Sequence, residues 1–233
     1  MSRGQSRVAL VVGASRGLGL GLAAELVRRG WSVVATCRDR AGEQRLQALA
    51  QEAGGALQIE QVDIADQDSI KALRQRLAGH VFDLVFVNAG ISVRRDAEAA
   101  SDEDVARLFL TNAIGPLRVA RAFLDRVSDG NGIVAFMSSG LGSVADNNHG
   151  YSELYSASKA ALNSLARSFA AKLGGRRVTV LAVAPGWVRT DMGGAGAPLS
   201  VEQSVRGIVD MLERRAGTGR HAFIDYRGHE LAW

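Results

Sequence analysis

One cysteine, three prolines and four histidines leave this 233-residue chain few means of stapling, kinking or metal binding. Cys37 has no partner, so no internal disulfide can form. His80, His149, His221 and His229 show neither His-x-x-x-His nor Cys-x-x-Cys spacing, and no metal is expected. Also missing is any run of about 18 apolar residues of the kind that crosses a bilayer. The apolar stretch from Val8 to Val12 runs into a glycine-rich turn instead of a cleavage site. The expectation is an unexported, cytoplasmic protein with no membrane partner. The net charge is +4, but the arginines are scattered and form no run of five like charges, which argues against nucleic acid as a partner.

What is present is a composition of 47% hydrophobic and 22% charged residues, enough for one globular domain spanning 1–233. Short β-branched runs alternate with segments of helical period, the pattern of βα units on a parallel sheet. Strands are expected near Arg7–Val12, Ser32–Cys37, Ala56–Gln61, Leu84–Asn88, Gly132–Ser138, Val178–Ala184 and His221–Asp225. Helices are expected to start near Arg16, Arg40, Asp66, Ser101, Ser152 and Ser200. The fold class is therefore α/β, a Rossmann-type doubly wound sheet of about seven parallel strands with helices on both faces.

The first strand ends in Gly13-Ala-Ser15-Arg16-Gly17-Leu18-Gly19 and leads into a helix. Glycines suit a sharp turn whose amides approach a pyrophosphate at a helix N-terminus, where the dipole favours anions. A structural turn would fit the same residues. The G-x-x-x-G-x-G spacing resembles that of the short-chain dehydrogenase/reductase family. At the tip of the second strand, Cys37 stands where the family's NAD users carry Asp, and Arg38 follows it. A guanidinium there suits a 2′-phosphate, with Arg16 assisting from the glycine loop, so NADP(H) is the expected cofactor. The alternative leaves Arg38 solvated and gives the ribose to Asp39. Asp63-Ile64 resembles the family's adenine-contacting pair, and Asn88-Ala89-Gly90 its Asn-Asn-Ala-Gly motif, with Val87 replacing the first Asn. As alternatives, Asp63 caps a helix and Asn88 caps a strand.

Tyr155-Ser-Ala-Ser-Lys159 places a phenol and an ammonium at i and i+4 of one helix, side chains on a shared face. With three Tyr and three Lys in the chain, about 0.04 such pairs are expected by chance. A phenol titrates near 10, so catalysis at neutral pH asks that Lys159 and a bound oxidised nicotinamide lower it, about three units or roughly 4 kcal/mol. The resemblance makes Tyr155 the catalytic acid or base. It makes Lys159 its partner, which also touches the cofactor along with Tyr155. Ser139, chosen over Ser138, becomes the donor to the substrate oxygen. Asn112 becomes the fourth catalytic residue, holding a water beside Lys159; otherwise it is a mid-helix polar residue that bends its helix. A hydrolase triad is set aside because no histidine falls in a strand-end loop matched to a nucleophile, and only His149 lies near the proposed chemistry.

The resemblance runs to the C-terminus. Pro185-Gly186-Trp-Val188-Arg-Thr190 resembles the family's Pro-Gly turn that holds the nicotinamide carboxamide. Together with the Ser139–Tyr155 loop, it points to the C-factor and Sniffer group of small carbonyl reductases. The implied activity is hydride transfer between NADP(H) and a small carbonyl or alcohol substrate. The alternative is a nucleotide-binding sensor of the same fold with little turnover; a hydro-lyase or epimerase using the same tyrosine is a further one. Gly140–Gly150 and Gly193–Pro198 are expected to wall the substrate pocket as mobile, small-residue segments. Ala157, Ala160, Ala161, Leu162, Leu165, Ala166 and Phe169 make a broad apolar face on the Tyr155 helix, expected to join copies into a homo-oligomer; packing on the core is the alternative.

Overall fold

A computed structural model describes residues 6–93, 97–148 and 150–233. Seven strands form one sheet: β1 (Val8–Val12), β2 (Ser32–Cys37), β3 (Leu57–Gln61), β4 (Leu84–Val87), β5 (Ile133–Met137), β6 (Thr179–Ala184) and β7 (His221–Asp225). All pairings are parallel, in the order β3-β2-β1-β4-β5-β6-β7. The strands start or stop within a residue of the sequence expectation, because period and turn residues set them locally.

Both faces of the sheet are covered, so the central strands read as nearly continuous apolar runs, whereas the edge strand β3 carries Gln58, Glu60 and Gln61. Alternate residues of β1 serve opposite cores. Ala9 and Val11 face Leu22 and Leu26 of α1 (Gly17–Arg28), Leu46 of α2 (Arg40–Glu52) and Ile208 and Leu212 of α7 (Val201–Arg215). Leu10 and Val12 face Ile70 and Leu73 of α3 (Gln67–Arg76), Phe123 of α5 (Gly115–Phe123) and Leu162 and Phe169 of α6 (Glu153–Ala170). The order reverses between β1 and β4, and at this switch point the carboxyl ends of the strands open a crevice.

One element differs from the expectation in kind. The helix that begins at α4 (Asp102–Phe109) continues through a π-turn, Leu110–Ile114, into α5. The wider turn holds Asn112, and its amide is satisfied off the helix. The distortion is confined to these five residues. Ser101 caps α4 as its sequence suggests, accepting the Asp104 N–H at 3.2 Å.

Among the described residues, no helix is long and apolar enough to cross a membrane. Of the apolar face expected on α6, Leu162, Ala166 and Phe169 lie in the core. Ala160, Ala161 and Leu165 are half-buried, and Ala157 is exposed. Core packing thus takes the larger side chains and leaves a narrow alanine-rich stripe.

Candidate active site

The crevice at the switch point is a cleft of about 1250 Å³ lined by Gly13, Ser15, Arg16, Gly17 and Leu18, by Arg38, Asp63 and Ile64, and by Asn88, Ala89 and Gly90. It continues past Ser139, Tyr155 and Lys159 to Pro185, Gly186, Val188 and Thr190. Most of the residues proposed from sequence therefore meet in one space. Gly19 and Asn112 lie behind its wall and shape it instead.

The glycine loop is built by close approach. A Cβ on Gly19 would stand 2.1 Å from Gly13 O and 2.5 Å from Asn88 Nδ2, and one on Gly13 (φ 85°) 2.7 Å from Ala89. Asn88 Nδ2 donates to Gly13 O at 2.6 Å, and Gly13 N–H donates to Thr36 Oγ1 at 3.1 Å. Asn88 thus fastens the loop rather than capping its strand. Gly19→Ala is expected to cost about 1–3 kcal/mol by overpacking and to lower the melting temperature by several degrees, read by circular dichroism.

α1 points its N-terminus into this cleft with no side-chain cap and no acid in its first turn. Its first amides are left for an anion, as a pyrophosphate requires. At the tip of β2, Asp39 Oδ1 accepts the Gly42 N–H at 2.8 Å and caps α2, so this carboxylate is engaged in the fold. Arg38 is exposed on the cleft wall, 3.7 Å from Asp39. Arg16 lines the same cleft from the glycine loop, and its guanidinium meets Asp191 at 3.0 Å. Arg45 also lines the cleft and donates to Ser15 O at 3.1 Å. Asp63 Oδ1 accepts the Ala65 N–H at 2.9 Å and holds its own turn, while Asp66 caps α3.

Tyr155 and Lys159 share a face of α6, which enters through Ser152 in the left-handed region (φ 56°). Lys159 Nζ donates to Met137 O at 2.8 Å and lies 5.6 Å from the Tyr155 ring centroid. Burial lowers the Lys159 ammonium to about 8. The Tyr155 phenol is pushed up to about 12, because burial disfavours its anion more than the Ser139 hydrogen bond favours it. The expected lowering calls on Lys159 together with a bound oxidised nicotinamide; without the nicotinamide, burial sets the direction. Protein groups alone thus hold Tyr155 as a protonated donor.

Ser138 and Ser139 divide as expected. Ser138 is buried and donates to Asn163 Oδ1 at 2.6 Å, whereas Ser139 faces the cleft and bonds Tyr155. Asn112 accepts the Ile91 N–H at 2.8 Å and donates to Ile91 O at 2.8 Å and Ser158 Oγ at 3.0 Å. Ser158 in turn donates to Tyr155 O at 2.7 Å, a link between the π-turn and α6 that the Tyr-x-x-x-Lys pattern treats as a spacer. Thr190 Oγ1 accepts the Gly193 N–H at 3.0 Å and shapes the turn that carries Val188.

Both expected wall segments accept hydrogen bonds from residues outside them. Asn163 Nδ2 donates to Gly142 O, and Arg189 donates to Ala197 O and Pro198 O. Only Gly193 of the second segment reaches the cleft. Gly13-Ala-Ser15-Arg-Gly17 also has the spacing of a hydrolase nucleophile elbow. No histidine among the described residues lines the cleft, however, so Ser15 has no base there. His149 lies outside the described residues, and none of the described His, Cys, Asp and Glu side chains cluster as a metal site.

Comparison with known proteins agrees with this geometry. The family model described as short chain dehydrogenase matches residues 7–197. The C-signal of Myxococcus xanthus is 39% identical over 153 residues, covering 65% of this chain and 92% of the relative. A Pseudomonas aeruginosa carbonyl reductase in complex with NADP superposes with a TM-score of 0.91 at 46% identity, covering 98% of this chain and 100% of that one. Carbonyl reductase Sniffer of D. melanogaster gives 0.90 at 29% identity, again over 98% and 100%.

Proposed function

Because the chain belongs to the short-chain dehydrogenase/reductase family, we propose that it is an NADP(H)-dependent carbonyl reductase acting on a small ketone, aldehyde or quinone. The observation that carries this reading is a single one. Tyr155, Ser139 and Lys159 meet at the end of a cleft whose other end is an uncapped helix N-terminus flanked by Arg38.

The chain's groups fit NADP(H). The amides from Ser15 to Leu18 and the α1 dipole suit the pyrophosphate. Arg38 and Arg45 suit the 2′-phosphate, since Asp39 is occupied as a helix cap. Asp63 and Ile64 would wall the adenine end, Asn88 to Gly90 would back the loop, and Pro185, Gly186, Val188 and Thr190 would face the nicotinamide. When bound, the cofactor supplies a hydride to the carbonyl carbon. Ser139 Oγ donates to the carbonyl oxygen and stabilises its growing charge. Tyr155 gives that oxygen its phenolic proton as general acid, and its high pKa keeps the proton in place until the oxygen becomes basic. Lys159, near 8, holds a proton it can release at neutral pH and so can resupply the phenol. Asn112 positions Ile91 and Ser158 around this relay.

NADPH oxidation by the purified protein across ketones, aldehydes and quinones tests the reading. Tight NADPH binding with no turnover on any of them would favour a nucleotide sensor, the role that similarity to C-signal raises. Turnover without net NADPH oxidation would indicate an epimerase or hydro-lyase. Arg38→Ala is expected to weaken NADPH about 10–100-fold and leave NADH almost unchanged, since a charged hydrogen bond to phosphate is worth about 1.5–3 kcal/mol. Equal effects on both nucleotides would remove Arg38 from the 2′-phosphate site. We also assign the half-exposed stripe Ala157, Ala160, Ala161 and Leu165 to contact between copies of the chain. Light scattering at micromolar concentration should give at least a dimer, and a monomer would refute the assignment.

A further inference from the structure

The substrate end of the cleft is closed by residues that belong to no nucleotide-binding or catalytic motif. After β7 the chain turns at Gly228 (φ 97°) and returns antiparallel along the sheet's last strand. Asp225 N–H donates to His229 O at 2.9 Å, and Leu231 N–H donates to Phe223 O at 2.8 Å. The Asp225 carboxylate braces the turn by accepting the N–H groups of Arg227 and His229. This hook carries Leu231 into the cleft lining.

Trp233 anchors the hook from three sides. Its ring lies 4.8 Å from His221 and 5.5 Å from Phe223, centroid to centroid, and the Arg167 guanidinium of α6 stands 5.5 Å from it. Its main-chain oxygen accepts the Ala145 N–H at 3.0 Å. Ala145 belongs to the loop from which Leu141, Ser143 and Asp146 line the same cleft. Two walls about ninety residues apart in sequence are therefore fastened to each other through one residue. Both the ring contacts and the hydrogen bond would be lost with the side chain's seat, whereas the glycine loop and Arg38 lie on other elements.

We infer that residues 229–233 set the width of the substrate end, with Leu231 as a specificity-determining residue and Trp233 as a positioning residue for the loop over residues 140–148. The catalytic consequence rests on the carbonyl-reductase reading; the coupling of hook to loop does not. Leu231 sits in a cleft whose mouth also exposes Trp187 and Met192, an apolar frame suited to a ring-bearing carbonyl compound.

Hydrogen exchange is measured on wild type, Trp233→Ala and Trp233→Phe. In Trp233→Ala, amides 143–148 are expected to exchange at least about tenfold faster, with Trp233→Phe close to wild type. In kinetics, Trp233→Ala should raise KM for α-tetralone about fivefold or more and leave KM for NADPH within about twofold. Leu231→Ala should raise the kcat/KM ratio of α-tetralone over benzaldehyde about tenfold, the scale set by a missing group in an apolar pocket. Unchanged exchange at 143–148, or an NADPH KM that moves as much as the ketone KM, overturns the role of Trp233. An unchanged substrate ratio overturns that of Leu231. Should wild type reduce neither compound, the carbonyl-reductase reading fails on these probes, and the exchange result alone then decides for or against the hook.

Discussion

Tyr155→Phe is expected to lower kcat for carbonyl reduction by about a thousandfold or more while NADPH affinity stays within about threefold. Phe keeps the ring and its packing on α6, so the change removes one hydroxyl from a place where it bonds Ser139 and faces the cleft. That hydroxyl is the proton source in the proposed reaction. With its pKa near 12 the phenol stays protonated across the working pH range, and no histidine among the described residues lines the cleft to replace it. The loss should therefore fall on kcat rather than on binding. Steady-state kinetics together with NADPH titration by fluorescence measure the two parts separately. A kcat within tenfold of wild type would mean that another group or water protonates the substrate, and the assigned mechanism would fail.

Lys159→Met is expected to abolish turnover and, at the same time, to stabilise the cofactor-free protein near neutral pH. Lys159 is buried, with a folded pKa of about 8 against 10.5 for a solvated lysine, so below pH 8 the folded protein bears a charge it would rather lose. Between about 8 and 10.5 the unfolded chain binds the extra proton, and wild-type stability rises with pH through that window. The group's contribution is complete above 10.5 and is lost as pH falls through 8. A shift of that size amounts to roughly 3 kcal/mol. The advantage of Met over Lys should thus be greatest at pH 7 and shrink by roughly that amount by pH 10.5, offset throughout by the hydrogen bond that Met137 O loses. Denaturant unfolding of both proteins at pH 7 and pH 10 reads the difference. A gap that does not change with pH would show that Lys159 is not titrating between folded and unfolded states. Lys159→Arg should rescue neither activity nor the pH dependence, because a guanidinium does not give up its proton.

Much of the fold was legible because its signals are local. Apolar runs of five or six residues, the glycine turn after β1, and Ser101 and Ser200 before their helices each act within a few residues, and the strands and helix starts followed within about one position. Tyr155 with Lys159, Ser139 and the glycine loop were legible for the same reason, since each is a short pattern on one element. Asn112 was found as a residue but not as a π-turn, because the wider turn is held by Ile91 and Ser158, which lie 21 and 46 positions away.

By itself, then, the sequence determined the parallel α/β sheet, the glycine loop and the side chains brought to the cleft. Only the tertiary structure decided what those side chains are like once gathered. It turned Arg16 to Asp191, brought Arg45 to the cleft, spent Asp39 on a helix cap and raised the Tyr155 phenol by burial. It also carried Leu231 back from the far edge of the sheet to the cleft lining and brought Trp233 against Ala145. The physical reason is one of range. Propensity and period act between near neighbours in the chain, whereas desolvation, charge pairing and cleft shape depend on groups that folding brings together from anywhere along it.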